Sequence, residues 1–151
     1  MNQILLIGLG GALGAISRYG LSSLVYGITG REFPWGTLVV NVFGSLLMGI
    51  LSVWLIERVA NPELRALLIV GFLGALTTFS TFSIETLALL EDGALARAFA
   101  NVLMSVIVCV AAAWAGVVIA RSILLSHYNR RTGFNCLAGS ETPAERSRCR
   151  H

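Results

Sequence analysis

The chain has 151 residues, of which 56% are hydrophobic and 13% charged, with a mean hydropathy of +0.78. A soluble domain carries roughly 25% charge, so the composition excludes an ordinary water-soluble globule and points to an integral membrane protein. The net charge of +3 comes from eleven arginines and no lysine, six of them at or beyond Arg121; basicity gathered near the C-terminus suits anionic lipid head groups rather than nucleic acid.

An α-helix needs about 20 apolar residues to cross the hydrocarbon, and four segments qualify: Ile4 to Tyr26, Trp35 to Ile56, Ala66 to Leu90 and Ala98 to Ala120. The first lacks a positive n-region and runs through Arg18 without an obvious cleavage site, so it is predicted to stay attached rather than to act as a signal peptide. It carries a GxxxG pair, Gly10 and Gly14, with Gly11, Gly14 and Arg18 along nearly one face. Small residues let helices approach closely in a membrane. A guanidinium within a span is either an anion contact or an anchor reaching for the interface, and Arg18 is a candidate for both roles. The second span places Thr37, Asn41 and Ser45 on one stripe at i, i+4 and i+8, which serves either interhelical hydrogen bonding or, through the Asn41 amide nitrogen, donation to an anion.

The third span contains Gly74-Ala75-Leu76-Thr77-Thr78-Phe79-Ser80-Thr81-Phe82-Ser83, in which five of ten side chains are hydroxyls. Hydroxyls offer the backbone competing hydrogen bonds and β-branched Thr loses rotamer freedom in a helix, so the sequence predicts a helix broken near Thr77-Thr78. At bilayer depth a break is tolerated only where its backbone groups are buried in protein, face water or meet an ion. Phe79 and Phe82 then share a helix face, and Glu85 follows one turn later. An intramembrane carboxylate is by default a functional candidate, although Glu85 is close enough to Glu91 for a solvated structural role. The fourth span repeats a polar stripe at Asn101, Ser105 and Cys109. The links carry Gly27, Gly30 and Pro34, then Asn61-Pro62, then Asp92-Gly93, which is turn chemistry joining antiparallel neighbours. Residues 1–126 thus form a four-helix membrane unit, and 127–151 read as a basic, disordered tail. Cys109 lies in a span and Cys136 and Cys149 in that tail, a pattern of free thiols rather than of a disulfide framework.

Gly74 to Ser83, with Gly71 ahead and Glu85 behind, resembles the TTFSTF signature of the CrcB (Fluc) family of fluoride channels, and Gly36-Thr37-Leu38-Val39-Val40-Asn41 resembles that family's second-helix motif. The resemblance covers roughly residues 4 to 120; the tail departs from it. It implies an all-α fold of four transmembrane helices with a broken third helix, assembled as a dual-topology antiparallel homodimer with two pores in a bacterial inner membrane. It implies passive fluoride export that lowers fluoride toxicity, with a pathway along Asn41, Phe79, Phe82, Ser80, Thr81, Thr78 and Arg18, supported by Thr37, Glu85 and Ser105. It places Ser105 or Cys109 near Glu85 and Thr37. It further implies a structural sodium ion at the dimer centre, held by backbone carbonyls of Gly74 and Thr77. Carbonyl oxygen suits a hard cation, whereas fluoride, a strong acceptor, needs donors from hydroxyls and amides and can rest against the positive edge of a phenyl ring. The arginine pattern sits awkwardly with dual topology: Arg58, Arg65, Arg121, Arg130 and Arg131 fall on one side against Arg31 and Arg97 on the other, which predicts cytoplasmic termini.

Two other readings compete. A small dimeric multidrug-type exporter wants a titratable carboxylate in its first span, and this chain has no acid before Glu32. A noncatalytic membrane adaptor subunit would use the small-residue faces and basic tail for partners, leaving the break and the phenylalanines as packing. An enzyme is disfavoured, since both histidines, His127 and His151, lie outside the spans and no nucleophile, metal-ligand or nucleotide pattern occurs.

Overall fold

A computed structural model describes residues 2–55 and 61–137, with side chains at 3–55 and 61–124. The elements are α1 (Asn2–Thr29), α2 (Trp35–Trp54), α3 (Pro62–Arg65), a π-helical run Ala66–Leu73, α4 (Gly74–Leu76), α5 (Phe79–Glu91) and α6 (Leu95–Leu137). No strand occurs among the described residues. Among the described residues four stretches are long and apolar enough to cross a membrane: Gln3–Thr29, Trp35–Trp54, Pro62–Glu91 and Leu95–Leu124. With 20 residues and a rise of about 1.5 Å each, α2 matches the roughly 30 Å hydrocarbon core.

The links form as their residues dictate. Gly30 and Gly93 adopt positive φ, 77° and 71°, which glycine reaches without a Cβ penalty. At the second of these, Ala94 N–H donates to the Leu89 carbonyl at 2.9 Å and so satisfies the end of α5. Asn61 caps α3, its Oδ1 accepting from Glu63 N–H at 2.9 Å and Leu64 N–H at 3.3 Å, with Pro62 in the first turn. An orphan helix donor is thus paired where the chain turns.

Packing follows the small residues. α1 lies along the π-helical run and α4, while α2 packs chiefly on α6. A Cβ on Gly10 would strike the Leu67 carbonyl, and one on Gly14 the Phe72 carbonyl. On the other seam, a Cβ on Gly49 would meet the Ala113 carbonyl and one on Gly116 the Leu46 carbonyl. Backbone touching backbone supplies the dispersion contact that substitutes for a hydrophobic driving force inside lipid. Gly11 meets nothing, so the close-approach face is Gly10 and Gly14 without it. Val40, Leu73 and Leu76 form the buried centre, flanked by Leu21, Leu47, Met48, Leu51 and Phe72. The outer faces remain apolar: only 11% of the most hydrophobic window of α1 and 6% of that of α6 is buried, as suits surfaces that face lipid or another chain.

α6 does not stop near Ala120. It runs to Leu137, through Arg130 and Arg131 and into the segment that composition reads as a tail, because neither Gly nor Pro interrupts Arg121 to Thr132. The remainder of that tail, 138–151, lies outside the described residues, as does Arg58. The two glycine environments predict opposite outcomes for one substitution. Gly10→Ala lowers stability in detergent by about 1–3 kcal/mol through overpacking, whereas Gly11→Ala changes it by less than about 0.5 kcal/mol; thermal unfolding followed by helical circular dichroism distinguishes them.

Candidate ion pathway

The helical backbone stops at Leu76. Thr77 (φ −77°, ψ 153°) and Thr78 (φ −149°, ψ 115°) are extended before α5 begins at Phe79. Thr77 remains tied to the preceding turn, its N–H and Oγ1 donating to the Leu73 carbonyl at 3.1 and 3.0 Å. Thr78 turns sideways to α2. Its N–H donates to Asn41 Oδ1 at 2.8 Å, and Asn41 Nδ2 donates to its carbonyl at 3.0 Å. One carboxamide therefore acts as a neighbouring strand would, pairing both polar groups of an extended residue. Gly44, one turn along α2, leaves the space that the Thr77 methyl fills. Thr78 Oγ1 then caps α5, accepting Thr81 N–H at 3.2 Å and lying 3.0 Å from Thr81 Oγ1 and 3.3 Å from Ser80 Oγ.

Beside this clasp an open groove of about 420 Å³ runs between α2, α5 and α6. Its polar lining comes from Asn41, Ser45, Thr77, Thr78, Ser105 and Cys109, and its aromatic wall is Phe79 and Phe82. The two rings have centroids 5.4 Å apart and planes inclined by 46°, a tilted arrangement that leaves ring edges available. Phe79 is 79% exposed, which is far from the ordinary condition of a packing phenylalanine.

At the middle of α5 the polar groups of Thr37 and Glu85 meet through a residue absent from the motifs. Tyr26 O–H donates to Glu85 Oε1 at 2.7 Å, and its oxygen lies 3.3 Å from Thr37 Oγ1. Glu85 Oε2 is buried and has no protein partner. Tyr26 and Glu85 line a larger vestibule of about 990 Å³ that also reaches Arg31, Glu32 and Arg97. Arg97 pairs with Glu32 at 3.7 Å, but both side chains are largely exposed, so the pair contributes about 0–1 kcal/mol. Asn101 is buried and donates to Thr86 Oγ1 at 2.8 Å, tying α6 to α5.

Asn41, Thr78, Phe79, Phe82 and Ser105 therefore converge on one groove, with Ser80 and Thr81 hydrogen-bonded at its edge. Glu85 lines the vestibule, and Thr37 is linked to it through the Tyr26 hydroxyl. Ser105 and Cys109 line the groove with Asn41 and the phenylalanines, on the side of α6 that packs along α2. Arg18 is half-buried on α1 and lines neither cavity. Gly74 is exposed at the break, and the Thr78 N–H that would serve its carbonyl in an unbroken helix is given to Asn41. Among the described residues no group of three or more His, Cys, Asp or Glu side chains is placed to hold a metal. In the sequence Tyr26 is one more aromatic at the end of a span, because its partner lies 59 positions away.

A family model described as "CrcB-like protein, Camphor Resistance (CrcB)" matches residues 5–117. Among curated relatives, a protein of Methylococcus capsulatus named "Fluoride-specific ion channel FluC" is 58% identical over 118 residues, 78% of this chain and 52% of its own length. The chain thus spans about half of that relative. Proteins of the same name from Geobacter sp. and Coxiella burnetii are 51% identical over 124 residues and 53% over 123, covering 82% and 80% of this chain and 100% and 99% of their own.

Asn41→Leu keeps the side-chain volume but leaves the Thr78 N–H and carbonyl unpaired. Stability falls by about 2–4 kcal/mol, one desolvation penalty of 1–3 kcal/mol for each group less partial relaxation, as measured by thermal unfolding. Asn41→Asp keeps Oδ1 as an acceptor but faces the Thr78 carbonyl with a carboxylate oxygen in place of a donor, and destabilises as well.

Proposed function

The chain belongs to the CrcB-like family, and from that premise we propose that it is a fluoride-specific channel, a multi-pass protein of the bacterial plasma membrane that lets fluoride leave the cytoplasm down its gradient. The observation that carries this reading is the groove at the helix break, where an amide, hydroxyls and two tilted phenyl rings meet. Fluoride entering a narrow path loses water and must be given donors in return. Asn41 spends one Nδ2–H on the Thr78 carbonyl and keeps the second, while Ser80, Thr81 and Ser105 offer hydroxyl hydrogens. Phe79 and Phe82 add ring edges, whose positive quadrupole accommodates an anion without binding it so tightly that it cannot leave. Thr37 and Glu85 form the polar end of the same path. Passage along donors and ring edges requires no energy source, which suits downhill export.

The assembly belongs to the same proposal. Phe79 and Gly74 lie open on this chain, and a second copy crossing at the break would enclose both; we take that copy to be antiparallel, giving a homodimer with two pores. A sodium ion fits the break on chemical grounds, since the Gly74 carbonyl has lost the Thr78 N–H as a helical donor and carbonyl oxygen prefers a hard cation. Backbone oxygens of Gly74 and Thr77 would hold it. When bound, the ion would neutralise carbonyl dipoles pooled at the crossing.

Purified protein in liposomes is expected to release fluoride rapidly and chloride little, read by ion-selective electrodes; no fluoride release from folded protein would overturn the proposal. Phe82→Ile stays apolar but loses the ring edge, so fluoride efflux falls several-fold while the melting temperature stays near that of the wild type. Replacing sodium by a large organic cation during purification lowers the thermal stability of the assembly, and readdition of sodium restores it.

A further inference from the structure

Tyr26 belongs to neither motif, yet its side chain is held at three points. A Cβ on Gly36 would fall 2.5 Å from Tyr26 Cε2 and 2.7 Å from Cζ, so the ring fills the space left by that glycine. The Arg31 guanidinium lies over the ring, 5.9 Å from its centroid, within cation–π range. With the ring so placed, the hydroxyl is the remaining freedom, and it donates to Glu85 Oε1 at 2.7 Å, with Thr37 Oγ1 at 3.3 Å. A phenol has a single hydrogen to give, and here it goes to the carboxyl.

Glu85 stands one turn beyond Phe82 on α5, so a change of its χ angles carries the carboxyl between the vestibule and the phenyl groove. Direction matters because carboxylate oxygens are acceptors with no hydrogen to offer an anion. Swung toward Phe82, they would set lone pairs against the fluoride path; drawn toward Tyr26, they leave the ring edges free. Glu85 Oε2 has no protein partner, so in this structure Tyr26 supplies the protein contact that orients the carboxyl. We propose that Tyr26 is the positioning residue for Glu85, holding the carboxyl on the vestibule side and thereby setting the rate of fluoride passage. Gly36 takes part by providing the slot for the ring. The proposal rests on the fluoride-channel reading above.

The test is a double-mutant cycle on the full chain in liposomes, with a fluoride electrode, using wild type, Tyr26→Phe, Glu85→Met and the double variant. Tyr26→Phe keeps the ring in its slot and removes the hydroxyl; efflux is expected to fall about tenfold, the scale of one hydrogen bond to a charged group. In the Glu85→Met background no carboxyl remains to be positioned, so adding Tyr26→Phe leaves efflux where Glu85→Met alone put it. A merely structural Tyr26 would lower efflux by the same factor in both backgrounds. That result, or undiminished efflux from Tyr26→Phe, overturns the inference. Gly36→Ala is the second variant: it pushes the ring from its slot with the hydroxyl intact, and the same loss, again absent beside Glu85→Met, is expected. Wild-type protein that passes no fluoride would overturn the channel reading and this inference together, whereas normal wild-type efflux with an indifferent cycle overturns this inference alone.

Discussion

A backbone amide pair cannot be left bare in hydrocarbon, and the two hydrogen bonds between Asn41 and Thr78 answer that constraint. An unsatisfied peptide group at bilayer depth costs several kcal/mol, so two extended residues in a span are stable only beside a partner with one donor and one acceptor at the right spacing. A carboxamide is such a partner. The clasp lets the third span stop at Leu76 and restart at Phe79, and the restart aims the phenylalanines into the groove. Asn41 thus has a structural role at the groove, one that commits a single hydrogen of its amide.

The glycine seams set where these elements can meet. Gly10 and Gly14 bring α1 against the first half of the third span, and Gly49 and Gly116 bring α2 against α6, at distances that no side chain would permit. A Thr77 methyl occupying the space beside Gly44 draws the break itself onto α2. The amide of Asn41 can reach Thr78 because these backbones approach so closely. Function in this chain therefore leans on residues with no chemistry of their own.

The polar groups divide into two neighbourhoods along α5. Its first turn belongs to the groove, with Thr78 as cap and Phe79 and Phe82 as wall, and its middle belongs to the vestibule, with Glu85 tied to Tyr26, whose hydroxyl also lies against Thr37. Both lie on one helix, with Phe82 and Glu85 one turn apart. Ser105 and Cys109 come to line the groove because α6 runs along α2, and α2 presents Asn41 and Ser45 to it.

The amino-acid sequence by itself determined the class of molecule, since four apolar stretches of spanning length admit helices and little else in a bilayer. It also marked Thr77-Thr78 as a place of poor helix chemistry and put Phe79 and Phe82 on one face with Glu85 a turn later, because these are properties of neighbours within a few positions. The pairing of Asn41 with Thr78, 37 positions apart, and of Tyr26 with Glu85, 59 apart, is a different kind of fact. Such contacts depend on which helices approach and at what rotation, and that was decided by close packing at Gly10, Gly49 and Gly116 rather than by any local pattern. Gly11 reads in the sequence as part of the packing face and Tyr26 only as the end of a span, and the tertiary structure alone separates them from their neighbours, because burial and hydrogen bonding are properties of the assembled helices.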